Sequence, residues 1–187
     1  IFTVTGRGSL FLTDALAKHD ELQHVCVHHE QSAAFAAIAN AEQRDGIGVC
    51  LVSTGCASTN AITGVLSAWQ DQVPVVFISG QNFLQETTRH TGARLRTYGQ
   101  QEADIISIVE PITKYAHMIS SKEEAVGVIN KAITSAYSGR KGPVWIDIPL
   151  DLQSAHIDMP EKQLIDAAIT VLPSAEQRSI IKVSKAL

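Results

Sequence analysis

Five short apolar runs, rich in β-branched residues, recur along the chain with helical patterns between most of them: Ile1 to Thr5, Val25 to Val27, Ile47 to Ser53, Val73 to Ser79 and Val144 to Ile148. These runs lack the apolar–polar alternation of a strand with one wet face, so the strands they predict are covered on both sides. Such strands joined by helices build an α/β three-layer sandwich, a central mainly parallel sheet with helices on both faces. Hydrophobic residues make up 45% of the 187 positions, enough to bury one core and to exclude disorder as the main state.

Helix punctuation supports this division. Glu30 to Arg44 is Ala-rich and is expected to close at Gly46, and Leu10 to Lys18 and Thr59 to Trp69 are shorter helices. Ser121-Lys122-Glu123-Glu124 reads as a capping box opening a helix to about Tyr137, stopped by Gly139. The polar stretch from Gly80 to Ile105 has no clear period, and a loop of that length in a compact domain usually carries function. Residues 1–150 are expected to form one domain. Leu150 to Pro160 reads as an extended connector, and a helix opening at Ser174 is expected to begin a further domain over 151–187.

The formal charge of −4 and the absence of basic runs exclude a nucleic-acid partner. Uninterrupted apolar stretches fall short of the roughly 18 residues of a membrane span. The first residues lack the basic and apolar regions of a secretory signal, so a cytoplasmic protein is expected. Cys26 and Cys50 lie in strand-like runs and are expected in the core. No CxxC spacing offers a metal site.

In open α/β sheets ligands bind at the carboxyl ends of strands, which directs attention to four segments. They are Gly6-Arg7-Gly8-Ser9, His28-His29-Glu30-Gln31, Thr54 to Asn60, and Ser79-Gly80-Gln81. The first is not a dinucleotide fingerprint, because the third glycine of GxGxxG would fall on Phe11. Its glycines are expected to serve a tight turn with positive φ. Glu30 opens a helix, where the dipole alone favours a carboxylate. His28 and His29 are expected to be packing or surface groups.

The order of these segments resembles the pyrimidine-binding domain of thiamine diphosphate-dependent enzymes, in the acetolactate synthase-like group. The residues that carry the resemblance are His29-Glu30-Gln31-Ser32-Ala33-Ala34, STGCASTNAITG from Ser53 to Gly64, Ala68 to Pro74 as AWQDQVP, and Ser79-Gly80-Gln81. The resemblance implies that Glu30 is catalytic, activating the aminopyrimidine of the cofactor so that its ylid forms. It implies further that Gly6, Glu30, Gly55, Asn60 and Gln81 bind the cofactor. Tyr98 to Ile105 resembles another segment of the group, which makes Gln101 catalytic and sets Gln100 on the substrate side where the group has phenylalanine. His90 is a further substrate-side candidate.

The implied function is that of the N-terminal domain of a 2-oxo acid decarboxylase or carboligase, a transferase or lyase, taking an acid such as pyruvate and a carbonyl acceptor. The implied cofactors are thiamine diphosphate, Mg²⁺ held by a diphosphate-binding domain whose Gly-Asp-Gly motif does not occur here, and FAD as in some relatives. Self-association, as dimer or tetramer, would place the site at a subunit interface, and the domain alone would be inactive. Two other readings stay open at this point: the pyrimidine-domain subunit of a split decarboxylase of the sulfopyruvate decarboxylase type, and a non-catalytic α/β binding domain.

Overall fold

The computed structural model describes residues 1–157, of which Ile1–His156 form one compact unit. Its sheet contains β1 (Phe2–Thr3), β2 (Val25–Cys26), β3 (Gly48–Val52), β4 (Val75–Gln81), β5 (Ala116–Met118) and β6 (Val144–Pro149), all parallel, in the order β2-β1-β3-β4-β6-β5. The chain steps from β1 outward to β2 and then returns to the other side of β1 for β3. That reversal opens a crevice at the carboxyl ends of β1 and β3, where open sheets of this kind take their ligands.

The helices are α1 (Leu10–Lys18), α2 (Glu30–Arg44), α3 (Cys56–Asn60), α4 (Ile62–Asp71), α5 (Thr88–Thr91), α6 (Ile105–Val109), α7 (Ala125–Tyr137) and α8 (Leu150–Gln153). Period-2 geometry sends successive side chains of β4 and β6 to opposite faces. Phe77 and Trp145, stacked at 5.4 Å between ring centres, join the core with α2, α4 and α6, and Val76, Val144 and Ile146 join Val128, Ala132 and Ala136 of α7. Both faces are therefore covered, as the apolar runs require. No helix among the described residues is long and apolar enough to cross a membrane.

Several local expectations are corrected. The left-handed residue that ends α2 is Asp45, at φ 47°, not Gly46. The Ser121 capping box does not form: the Glu124 carboxylate instead accepts hydrogen bonds from the Ser120 amide and hydroxyl, and α7 starts only at Ala125. The helix expected over Thr59 to Trp69 is two, meeting at buried Ala61. The first four residues of the expected connector at Leu150 turn into α8, while the helix expected from Ser174 lies outside the described residues. Cys26 is exposed rather than in the core, because β2 is a two-residue edge strand, whereas Cys50 is fully buried.

The polar stretch after β4 is ordered by one buried carboxylate. Glu102 Oε1 accepts from the Thr88 amide at 2.7 Å and its hydroxyl at 2.6 Å, and Oε2 accepts from the Tyr98 amide at 2.7 Å. An ion pair of 2.7 Å between Arg89 and Asp104 closes the same loop. Burial works to raise the Asp104 carboxyl, but hydrogen bonds from Ser107 and Arg89 and the guanidinium charge hold it below the usual range.

Gly80 shows how tightly the sheet is packed against the turn after β1. A Cβ there would lie 1.9 Å from the Gly8 carbonyl oxygen and 2.6 Å from the Ser9 amide nitrogen, both backbone atoms. Gly80→Ala is expected to lower the unfolding free energy by about 3 kcal/mol, the upper range for overpacking, in urea titrations. A loss below about 1 kcal/mol would mean that strand and turn separate freely.

Candidate active site

Three strand ends and the start of α2 converge on a cleft of about 330 Å³. β1 supplies Gly6-Arg7-Gly8, β3 supplies Ser53 and Thr54, and β4 supplies Gln81 and Asn82. The expected positive φ at the first segment is not found: Gly6 is extended, at φ −174°. Glycine is required there for close approach instead, since a Cβ on Gly6 would meet Ser53 Oγ at 2.4 Å. The Gly8 amide donates to that same Ser53 Oγ at 3.1 Å, which locks the two strand ends together.

Glu30 is the first residue of α2 and lines the cleft. His29 precedes it as N-cap, its Nδ1 accepting from the Gln31 amide at 3.2 Å, which satisfies one of the free donors of the helix start. The neighbouring His28 is exposed, as expected for a surface group. The Glu30 Oε2 accepts a hydrogen bond of 2.9 Å from Asn60 Nδ2 at the end of α3. Asn60 thus holds the carboxylate and leaves its second oxygen for a ligand. Cys50, on β3, has its thiol pushed up to about 12 by burial, with the Glu30 charge adding to the effect, so it stays protonated and unreactive.

Gln81 lines the cleft but its side chain is committed inward. Its Nε2 donates to Asp147 Oδ2 at 3.0 Å and to the Ala103 carbonyl at 3.1 Å, while Oε1 accepts from Thr54 Oγ1 at 2.9 Å and the Asn82 amide at 3.0 Å. Asp147 on β6 also accepts from Ser79 Oγ at 2.6 Å, and Ser79 accepts from Trp145 Nε1 at 2.8 Å. Burial drives the Asp147 carboxyl up to about 7, against the hydrogen bonds from Ser79 and Gln81 that favour its charge. Sequence reasoning passed over Asp147. The signal was present as one carboxylate within the apolar strand Val144-Trp145-Ile146-Asp147-Ile148.

The network ends on the loop that carries Gln100 and Gln101. Asn82 Nδ2 donates to the Gln100 carbonyl at 3.0 Å, and both glutamines line the cleft. Gln101 sits at φ 56°, a left-handed conformation few side chains adopt, with its carbonyl oxygen packed against Gly55. Gly55 itself has φ +64°, and a Cβ there would be 1.8 Å from that oxygen. The structure thus brings together Gly6, Glu30, Asn60, Gly55, Gln81, Gln100 and Gln101 around one crevice. His90 is placed elsewhere: it lies exposed on α5, its ring nitrogen 3.1 Å from Gln85 Nε2, outside the cleft lining.

A switch-point crevice lined by a helix-start carboxylate defines an α/β ligand-binding domain. Residues 1–108 match the family model described as thiamine pyrophosphate enzyme, N-terminal TPP binding domain. The chain belongs to that family. It is similar to the acetolactate synthase of Arthrospira platensis, 37% identical over 84% of this chain and 26% of that protein. The large subunit of acetolactate synthase from Corynebacterium glutamicum is 35% identical over 89% of the chain and 25% of its own length. Isozyme 1 of the Escherichia coli K12 large subunit is 33% identical over 95% and 30%. The chain thus spans about a quarter of the length of the curated relatives it matches.

Proposed function

We propose that this domain supplies the pyrimidine-binding half of a thiamine diphosphate site in an acetolactate synthase-like enzyme that decarboxylates a 2-oxo acid such as pyruvate and joins the acyl unit to a carbonyl acceptor. The observation that carries this reading is Glu30, presented at the start of α2 into the crevice with one oxygen held by Asn60 and the other left for a ligand. The residues fit the group: Glu30 shares its cleft with Ser53, Thr54 and Ala57, and a carboxylate suits a ring nitrogen that exchanges a proton. When bound, the cofactor supplies an electron sink for loss of CO₂.

The residues of this chain then bind and orient. Glu30 holds or releases a proton at the pyrimidine nitrogen N1′, and Asn60 keeps its carboxylate aimed. The inward bonds of Gln81 and Asn82 fix the loop that sets Gln100 and Gln101 over the cleft, where they face substrate. The diphosphate and its Mg²⁺, a cation that takes oxygen ligands, are assigned to a second domain of the longer polypeptide. The similarity of the chain to a quarter of each relative supports a longer polypeptide.

The test is CO₂ release from pyruvate by the full-length polypeptide, with thiamine diphosphate and Mg²⁺ added or withheld. Release that depends on both supports the reading. No release, together with no calorimetric binding of the cofactor, would overturn it.

A further inference from the structure

Two charged side chains line the cleft among the described residues, Glu30 and Arg7, and they are not paired with each other. Glu30 is held by Asn60. Arg7 is held only by neutral groups, Asn82 Oδ1 and Gln100 Oε1, each at 3.3 Å and each from the same nitrogen, Nη1. Its Nε and Nη2 find no partner among the described residues. A guanidinium presents its donors as a planar fork that matches two oxygens of a carboxylate or phosphate. With Nη1 anchored, the Nε–Nη2 edge of the fork is left for such an anion.

The platform under Arg7 is fixed before any ligand arrives. The Gly8 amide donates to Ser53 Oγ, its carbonyl accepts from Gln153 Nε2 at 2.6 Å, and Gly80 packs against the same carbonyl. A cation on a rigid turn, steadied by two neutral carbonyls, spends little of its interaction on being ordered. Neutral partners also leave its charge uncancelled, unlike the Arg89–Asp104 pair on the loop above.

We propose that Arg7 recognises the negative charge of the carbonyl acceptor, a carboxylate or phosphate group, at the mouth of the cleft; this rests on the function proposed above. The donor acid brings another carboxylate, but it suits Arg7 poorly. Loss of CO₂ drains charge from that carboxylate, so a bidentate pair would stabilise the bound acid more than the transition state. An anion on the acceptor keeps its charge throughout the reaction, and holding it orients the carbonyl without opposing either step. Arg7 is a specificity determinant in this scheme.

The experiment uses the full-length holoenzyme and its Arg7→Gln and Arg7→Lys variants. Carboligation is followed with glyoxylate and glyceraldehyde 3-phosphate as anionic acceptors and with acetaldehyde and glyceraldehyde as neutral ones, while CO₂ release is recorded in the same samples. In Arg7→Gln the ratio of kcat/KM for anionic over neutral acceptors is expected to fall about tenfold or more, with partial recovery in Arg7→Lys, which keeps charge but not the fork. A change with glyoxylate alone identifies a carboxylate, and one with glyceraldehyde 3-phosphate alone a phosphate; either supports the assignment. An unchanged ratio overturns it, as does an effect confined to the KM for pyruvate, which would move Arg7 to the donor. Calorimetric titration with lactate and glycerol 3-phosphate, which do not react, decides the matter apart from catalysis. If the unsubstituted protein releases no CO₂, the function proposed above fails, and equal affinity of Arg7→Gln and the unsubstituted protein for both probes removes the anion site as well.

Discussion

Glu30→Gln is expected to lower cofactor-dependent CO₂ release by the full-length enzyme by about 100-fold or more, in the range lost when a positioned acid–base group is removed. The substitution keeps the shape of the side chain, and its amide oxygen can still accept from Asn60 Nδ2, so the local fold is retained. What it removes is the ability to exchange a proton with a ring nitrogen. The rival account, in which Glu30 only starts α2, makes a different forecast. A helix-start carboxylate is worth about 0.3 to 1 kcal/mol, so its loss would shift the thermal midpoint slightly and leave turnover near that of the unsubstituted enzyme. Measuring kcat for CO₂ release together with the thermal midpoint separates the two. Undiminished turnover in the variant would sink the catalytic role.

The sheet was legible because its strands are buried on both faces and announce themselves as continuous apolar runs, so five of six appear in the sequence and α1 and α2 have the expected bounds. β5 was not legible. Ala116-His117-Met118 is three residues long and lies at the sheet edge, where a polar residue such as His117 is tolerated. At the site, the chemistry-bearing residues that follow strands were readable because topology puts strand ends together. The bonds between them were not: Arg7 meets Gln100 across 93 positions, and Gln81 meets Asp147 across 66. The placing of His90 outside the cleft lining was not legible either, because it depends on α5 turning the ring toward Gln85. The role of Gln81 likewise depended on a partner, Asp147, that lies 66 positions away.

Asp147 carries the second large effect, on stability and its pH dependence. Burial raises its carboxyl from the usual 3.8 to about 7, so between those values the folded state keeps a proton that the unfolded chain has already lost. Stability from this group is therefore complete below about pH 4 and declines as pH rises toward 7, by about 4 kcal/mol across the window. Other carboxylates titrate too, Asp104 in the opposite sense, which makes the difference from a neutral variant the informative quantity. Asp147→Asn has nothing to ionise. Its stability relative to the unsubstituted protein should rise steadily from pH 4 to 7 in urea titrations, and parallel curves would show that Asp147 stays charged throughout. Asp147→Ala makes the contrasting case. It strips Ser79 Oγ and Gln81 Nε2 of an acceptor inside the core and should cost about 3 kcal/mol near pH 4, a cost that shrinks toward pH 7 because Ala, like Asn, has nothing to ionise. Because Gln81 also holds Thr54 and the Asn82 amide, and Asn82 the Gln100 carbonyl, that variant should loosen the cleft wall as well as the core. A buried acid in β6 then sets how firmly Gln100 and Gln101 stand over the crevice.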